Sequence, residues 1–361
     1  MKHFIFSLII GIIVFSSTAV LTETNPLIKA TMWGQTYRVK KLLNEGRNVN
    51  TKDNKGRGLL SIAVIRRKYH LIKLLLDKGA LASMRDDNDK TALHHISKHY
   101  GGYAARMAKL IIDKGASVNR KDGNGNTPLQ IAVGANNTAM VNMFLKQNPS
   151  INKKNRNGKT ALIIAMEKNR YYPALSLIKA GADVNVTDNK RRTPLHFAAK
   201  LPSLALLNIL LKNGARVDSK DRQGYTPLMM AVGSSRLAHA RILIKKSADV
   251  NAKSEDDKTL LIIAGEKKNI FMINFLIKSG ANADFKDRNG QTLLHYVAGI
   301  RGYHALRLLR SIVKKGADVN QKDTVGGTPA GRAIDGWNLA AINLFLKNNL
   351  SVNDTEKNVP L

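Results

Sequence analysis

The side chains able to do acid–base or metal chemistry are the histidines and carboxylates, and their spacing argues against both uses. The chain has 0 Cys, which excludes a disulfide scaffold, a zinc–cysteine site, an iron–sulfur cluster and a cysteine nucleophile. His94, His196 and His295 occupy one position of a recurring segment, with other segments between them. At roughly 10 Å per stacked helix pair they stand on the order of 30 Å apart, too far to share a metal. They are expected to hydrogen-bond within a turn. His95 and His99 are four apart, a spacing that would let them face one another on a helix, but no Cys or carboxylate in the same stretch completes a ligand set. Asp53, Asp86, Asp122, Asp188, Asp221, Asp287 and Asp323 recur five residues before a Thr, and Asn155 and Ser254 fill the same place elsewhere. That exchange suits a turn cap accepting backbone amides, not a catalytic acid. Glu255-Asp256-Asp257 reads as a solvated tip, with contact to a cation or a basic partner as the alternative. There is no phosphate-cradling glycine loop and no nucleophile elbow. The expectation is a protein that is not an enzyme, with no catalytic residue, no metal and no cofactor.

Positive charge is the stronger signal. Among 361 residues, 58 Lys and Arg face 26 Asp and Glu, a net charge of +32. Hydrophobic content of 43% and charged content of 23% still allow a packed core, so the basicity is laid over a folding chain. A mean hydropathy of −0.22 excludes a polytopic membrane protein. Directly before the Asp position stand Lys52, Arg85, Lys121, Lys154, Lys220, Lys253, Lys286 and Lys322, with Thr187 the only interruption. Spaced by about 10 Å, close to the Debye length, these cations would act as a partly merged field and are the candidate partner-binding residues. Generic surface charge is the competing reading, because most of these cations have an Asp beside them that screens the charge.

Thr91, Thr127, Thr160, Thr193, Thr226, Thr259, Thr292 and Thr328 set the frame, at intervals of 33 residues except for two of 36. Stepping back by 33 reaches Gly58 and then Asn25. Thr followed by Pro suits a helix start, since the hydroxyl caps free amides and Pro loses no bond at the first position. Apolar groups such as Leu74-Leu75-Leu76 and Leu110-Ile111-Ile112 mark a second helix that one repeat cannot cover alone. A Gly after it, replaced by Asn148 and Asn349 in two units, ends that helix in a left-handed conformation. Thr193-Pro194-Leu195-His196-Phe197-Ala198-Ala199, with Thr127-Pro128-Leu129-Gln130 and Thr226-Pro227-Leu228-Met229, resembles the ankyrin-repeat signature, as do Gly181-Ala182-Asp183-Val184-Asn185 and Gly316-Ala317-Asp318-Val319-Asn320. The resemblance implies an all-α solenoid of ten helix-turn-helix units with β-turn fingers, spanning residues 25 to 361. The polar Asn338, Asn343, Lys347 and Asn348 of the last unit fit a solvated outer face. Three extra residues in each long unit, near Tyr100-Gly101-Gly102-Tyr103 and Ile300-Arg301-Gly302-Tyr303, are expected in the turn between helices.

The first residues differ from the rest. Lys2 and His3, an apolar run from Phe4 to Phe15 and the small Ser17 and Ala19 form the layout of a secretory signal cleaved after Ala19. An uncleaved inner-membrane anchor is the alternative, although the run is shorter than the roughly 20 residues needed to span a bilayer. The expected organisation is a signal over 1–19, a capping unit over 20–57, internal repeats over 58–325, and a capping unit and tail over 326–361. The signal layout implies an exported, periplasmic or secreted protein, the resemblance implies a protein-binding scaffold, and the basic row implies an acidic protein held by the fingers and concave face; a monomer is expected. A polyanion or anionic envelope surface is the other class of partner.

Overall fold

A computed structural model describes residues 25–348 and 350; the candidate signal over 1–19 and Asn349 lie outside the described residues. Those residues form twenty helices and no strand, with isolated bridges at Lys52–Gly58 and Lys253–Thr259. They divide into two compact units, an N-terminal one of residues up to 165 with 172–182, and a C-terminal one of 166–171 with 183 onward.

In the N-terminal unit the helices pair as α1 (Pro26–Trp33) with α2 (Thr36–Asn44), α3 (Leu59–Ile65) with α4 (Tyr69–Asp77), α5 (Ala92–Ile96) with α6 (Gly102–Asp113), and α7 (Pro128–Gly134) with α8 (Thr138–Leu145). The dividing line runs through α9 (Ala161–Glu167) and α10 (Tyr171–Lys179). The C-terminal unit continues with α11 (Pro194–Ala198), α12 (Ala205–Lys212), α13 (Pro227–Gly233), α14 (Leu237–Lys245), α15 (Leu260–Glu266), α16 (Ile270–Lys278), α17 (Leu293–Ala298), α18 (Tyr303–Lys314), α19 (Pro329–Asp335) and α20 (Leu339–Leu346).

Helices of five to twelve residues are too short to persist alone, so their stability comes from packing. Within each unit a first helix packs on its own partner and on the next first helix, as α3 does on α4 and α5. Leu59, Ile62, Leu71, Leu75, Leu93 and Ile96 are fully buried in the stack that results. Each such side chain contributes about 1.5–3 kcal/mol by leaving water, and Leu93→Ala would cost about 2–5 kcal/mol once the cavity is included. The second helix ends in a left-handed residue, with φ 83° at Gly181 and 47° at Asn148; Ser247 adopts the same conformation at φ 65°.

Two expectations change. The three extra residues of the long units do not widen a turn. They extend the second helix, so that α6 and α18 have 12 residues where α4 has nine, because Gly101 (φ 97°) and Gly302 (φ 111°) make a sharp entry before the added turn. Asn338 is not on a solvated face either. It is buried, caps α20 by accepting from the Ala341 amide at 3.3 Å, and donates through Nδ2 to Ala298 O and Ile300 O at 2.8 and 2.9 Å.

Candidate binding surfaces

Each finger is a hairpin closed by the side chain at the recurring Asp position, Asp in most units and Asn155 or Ser254 in two. In the N-terminal unit Asp86 Oδ1 accepts from the Asn88 and Lys90 amides, both at 2.9 Å, and the Asp86 amide donates to Lys90 O. Asn155 does the same for Asn157 and Lys159 at 3.0 Å, and Ser254 Oγ accepts from Asp256 and Lys258 at 3.3 and 3.1 Å. The turn-cap reading of that position therefore holds. Burial alone would push the Asp53 carboxyl up, but the Arg57 side chain and the Arg57 and Lys55 amides outweigh it and hold the group below its ordinary range. Successive fingers are joined by backbone bonds, Gly123 to Asn88 O at 2.8 Å and Arg156 to Asn124 O at 3.1 Å, and in the C-terminal unit Arg222 to Lys190 O and Glu255 to Gln223 O at 2.9 Å.

This ladder presents the basic row, but not uniformly. Lys121 and Lys154 in the N-terminal unit and Lys286 in the C-terminal unit are exposed. Lys52 reaches over to Arg85 O at 3.2 Å, and Arg85 pairs with Asp89 at 2.8 Å. Lys220 bonds Lys253 O at 3.2 Å, while the Lys253 ammonium sits 3.9 Å from the centre of the Phe285 ring and is only half exposed. Lys322 is exposed beside the buried Asp323. Composition could not separate the exposed cations from the engaged ones, because the engagement comes from the neighbouring finger.

The other candidate groups are spoken for. In His94, Nδ1 accepts from the Thr91 amide at 3.1 Å and Nε2 donates to Asn126 O at 3.1 Å; His196 and His295 repeat this with Tyr225 O and Gly327 O at 2.9 and 3.3 Å. Burial holds all three imidazoles below their ordinary range. The neighbouring His95 and His99 take different partners, Asp86 Oδ2 and the Tyr69 hydroxyl, each at 2.8 Å. Glu255-Asp256-Asp257 is exposed and engages Arg288 of the next finger, 3.1 Å from Asp256.

A second surface was not anticipated. At the opposite end of the helices from the fingers, the turns between paired helices carry exposed rings: Trp33, Tyr37, Tyr100 and Tyr103 in the N-terminal unit, and Phe271, Tyr303 and Trp337 in the C-terminal one. A signal was available in the frame, since Tyr37, Tyr103, Tyr172 and Phe271 each stand twelve residues after the position that opens the repeat, and His70 and His304 share it. In the C-terminal unit a cavity of about 430 Å³ lies at this edge, lined among others by Lys267, Lys268, Phe271, Arg301, Tyr303 and His304.

Stacked helix pairs tied through finger ladders and bridging histidines define a helical repeat protein. The family model for ankyrin repeats in three copies matches residues 27–122, 97–188, 171–254 and 255–358, so the chain belongs to the ankyrin-repeat family. No curated protein matches it. Proteins of this family are in general protein-binding scaffolds without chemistry of their own. Among the described residues no helix is long and apolar enough to cross a membrane.

Proposed function

We propose that this protein is a monomeric, non-enzymatic scaffold of ten ankyrin units, working outside the cytoplasm after removal of residues 1–19, whose fingers and adjoining first helices hold an acidic protein partner. The carrying observation is the pair of solvent-facing finger cations Lys121 and Lys154, held at a set spacing within the N-terminal unit by the Arg156 amide bond to Asn124 O; Lys286 is exposed in the same way in the C-terminal unit. A preorganised row loses little entropy on binding and steers an acidic surface toward it. Binding of a polyanion or anionic envelope surface by the same row is the second reading, favoured by the net charge of +32.

The test is capture from envelope and secreted fractions with a chain starting at Val20, eluted in steps of rising salt, beside a variant carrying Lys121→Glu, Lys154→Glu and Lys286→Glu. A discrete protein held at moderate salt by the parent and not by the variant supports the scaffold. Heterogeneous anionic polymer released at one low salt step supports the second reading, and equal capture by both chains overturns the finger assignment.

A further inference from the structure

We propose that the inter-helix turn edge of the N-terminal unit, remote from the fingers, is a docking edge for an anionic lipid bilayer. This is independent of the finger reading and uses a different surface.

The charge is unbalanced there. The stretches 27–41, 59–76 and 92–112, which run from each first helix through most of its partner, contain eleven Lys and Arg and no Asp or Glu. The fingers, by contrast, set a carboxylate directly beside six of the eight cations of their row. At the turns Arg66, Arg67 and Lys98 are exposed, and near the starts of the following helices Arg38 and Arg106 are exposed too. Between them stand Trp33, Tyr37 and Tyr100, exposed by 69%, 82% and 63%.

The edge is continuous and held in place. His70 Nε2 lies 3.2 Å from Gly34 O, joining the first two turns. Tyr69 and Tyr103 pack with centroids 5.5 Å apart, joining the second and third, and Arg106 lies 5.7 Å from the Tyr103 centroid. The Tyr100 hydroxyl donates to Ala135 O, joining the third and fourth, and Asn137 Nδ2 donates to His99 O at 2.7 Å. Cations and amphipathic rings are thus spread along one line without an intervening negative charge.

That pattern matches the boundary between lipid headgroups and acyl chains. Trp and Tyr place apolar ring bodies in the boundary and polar tips in the headgroups, while Arg and Lys meet anionic phosphates. A single-stranded polyanion would need free ring faces as stacking platforms. Here Tyr69 and Tyr103 pack against one another at a 53° tilt and the Tyr100 hydroxyl is held by a carbonyl, which leaves Trp33 and Tyr37 without the run of successive platforms such a strand needs. The C-terminal unit repeats the composition at its own turns, with Phe271, Tyr303, Lys267, Lys268 and Arg301, and there Glu266 is neutralised by Lys258 at 2.6 Å.

The experiment uses the chain from Val20 onward, so that the apolar run Phe4 to Phe15 cannot supply the binding, with vesicles of phosphatidylcholine alone or with a minority of phosphatidylglycerol. Trp33 and Trp337 are the 2 tryptophans, so Trp337→Phe leaves Trp33 as the reporter. The expected result is co-sedimentation with phosphatidylglycerol vesicles only, and a blue shift of Trp33 emission on binding. Trp33→Ala with Tyr37→Ala and Tyr100→Ala should weaken binding about tenfold or more, whereas Lys121→Glu with Lys154→Glu should change it by less than about threefold. All three rings are solvent-facing, and far-ultraviolet circular dichroism checks that the variant is folded. Unshifted Trp33 emission in the bound protein, or loss that follows the finger variant instead of the ring variant, overturns the proposal. So does quenching of Trp33 by a short oligothymidylate that also displaces the vesicles, which would assign the edge to a polymer.

Discussion

His94 and Asn126 stand 32 residues apart in the chain and meet at 3.1 Å, the imidazole Nε2 of one repeat donating to the backbone carbonyl of the next finger. The same ring holds its own helix start, because Nδ1 accepts from the Thr91 amide and lies 2.9 Å from its hydroxyl. One side chain therefore couples a local cap to a contact between repeats. Gln130 performs both tasks with an amide, Oε1 accepting from the Thr127 amide at 2.8 Å and Nε2 donating to Lys153 O and Lys159 O at 2.7 and 3.0 Å.

That equivalence predicts an order of tolerance at His196. His196→Ala leaves the buried Thr193 amide unpaired and takes from Tyr225 O one of its two donors, the Asp221 amide remaining, and should cost about 1–3 kcal/mol. His196→Gln should recover most of the loss. Urea unfolding checks the order, with hydrogen exchange at the amides of 193–196 to localise it; equal losses for the two variants would sink the bridging role.

Acid should destabilise the fold through the same rings. The His94, His196 and His295 imidazoles are held neutral by burial, so the unfolded chain binds more protons than the folded one once the pH drops below about 6.5. Stability should be fully present above that pH and fall steadily as it decreases toward the lowered folded values. The urea midpoint followed from about pH 8 to 5 gives the slope. Replacing all three by Gln should reduce the slope, leaving the part that comes from His95, His99 and His239, which burial also holds below their ordinary range; an unchanged slope would overturn the role of the three rings.

At the fingers, Asp221→Asn and Asp221→Ala should separate. Asp221 Oδ1 accepts from the Gln223 and Tyr225 amides at 2.9 Å, a pattern that Asn155 reproduces in its own unit. The Asn variant should stay within about 1 kcal/mol of the parent, and the Ala variant should lose about 1–3 kcal/mol. Thermal melting of both measures the gap.

Charge reversal distinguishes engaged from free cations. Lys253→Glu should lower stability as well as any partner affinity, because its ammonium rests on the Phe285 ring. Lys286→Glu should leave the melting temperature unchanged and move only the salt at which a partner elutes. Loss of stability in the Lys286 variant would contradict this division.

Neighbouring glycines offer a backbone test. Gly101 has φ 97° and ψ 154°, a region closed to other residues, and a methyl group there would meet nothing within 4 Å. Gly101→Ala should therefore cost about 1–3 kcal/mol through backbone strain alone. Gly102 begins α6 with open space around it, so Gly102→Ala should be neutral or slightly stabilising. Melting temperatures of the pair decide whether the added helical turn depends on the Gly101 entry.

The repeat, its phase and the helix pairing were all legible from residue order, because a cap, an apolar run and a helix-ending glycine act over a few residues and recur at one spacing. Thr91, His94 and Gly115 each declare a local conformation without help from afar. The Asp positions were equally legible, since a turn cap bonds amides two and four residues away. Other features were hidden. Which finger cations point to solvent was decided when Lys52 found Arg85 O and Lys253 found Phe285 in a neighbouring repeat. Asn338 looked like a solvated end residue, and stacking turned it into a buried clasp on the preceding turn. The ring-and-cation edge exists only because stacking lines up Trp33, Tyr69 and Tyr100 from separate repeats. Local rules determined the repeat frame of this chain, and the side-to-side contacts between repeats, set by packing and not by sequence neighbours, decided which surfaces that frame presents.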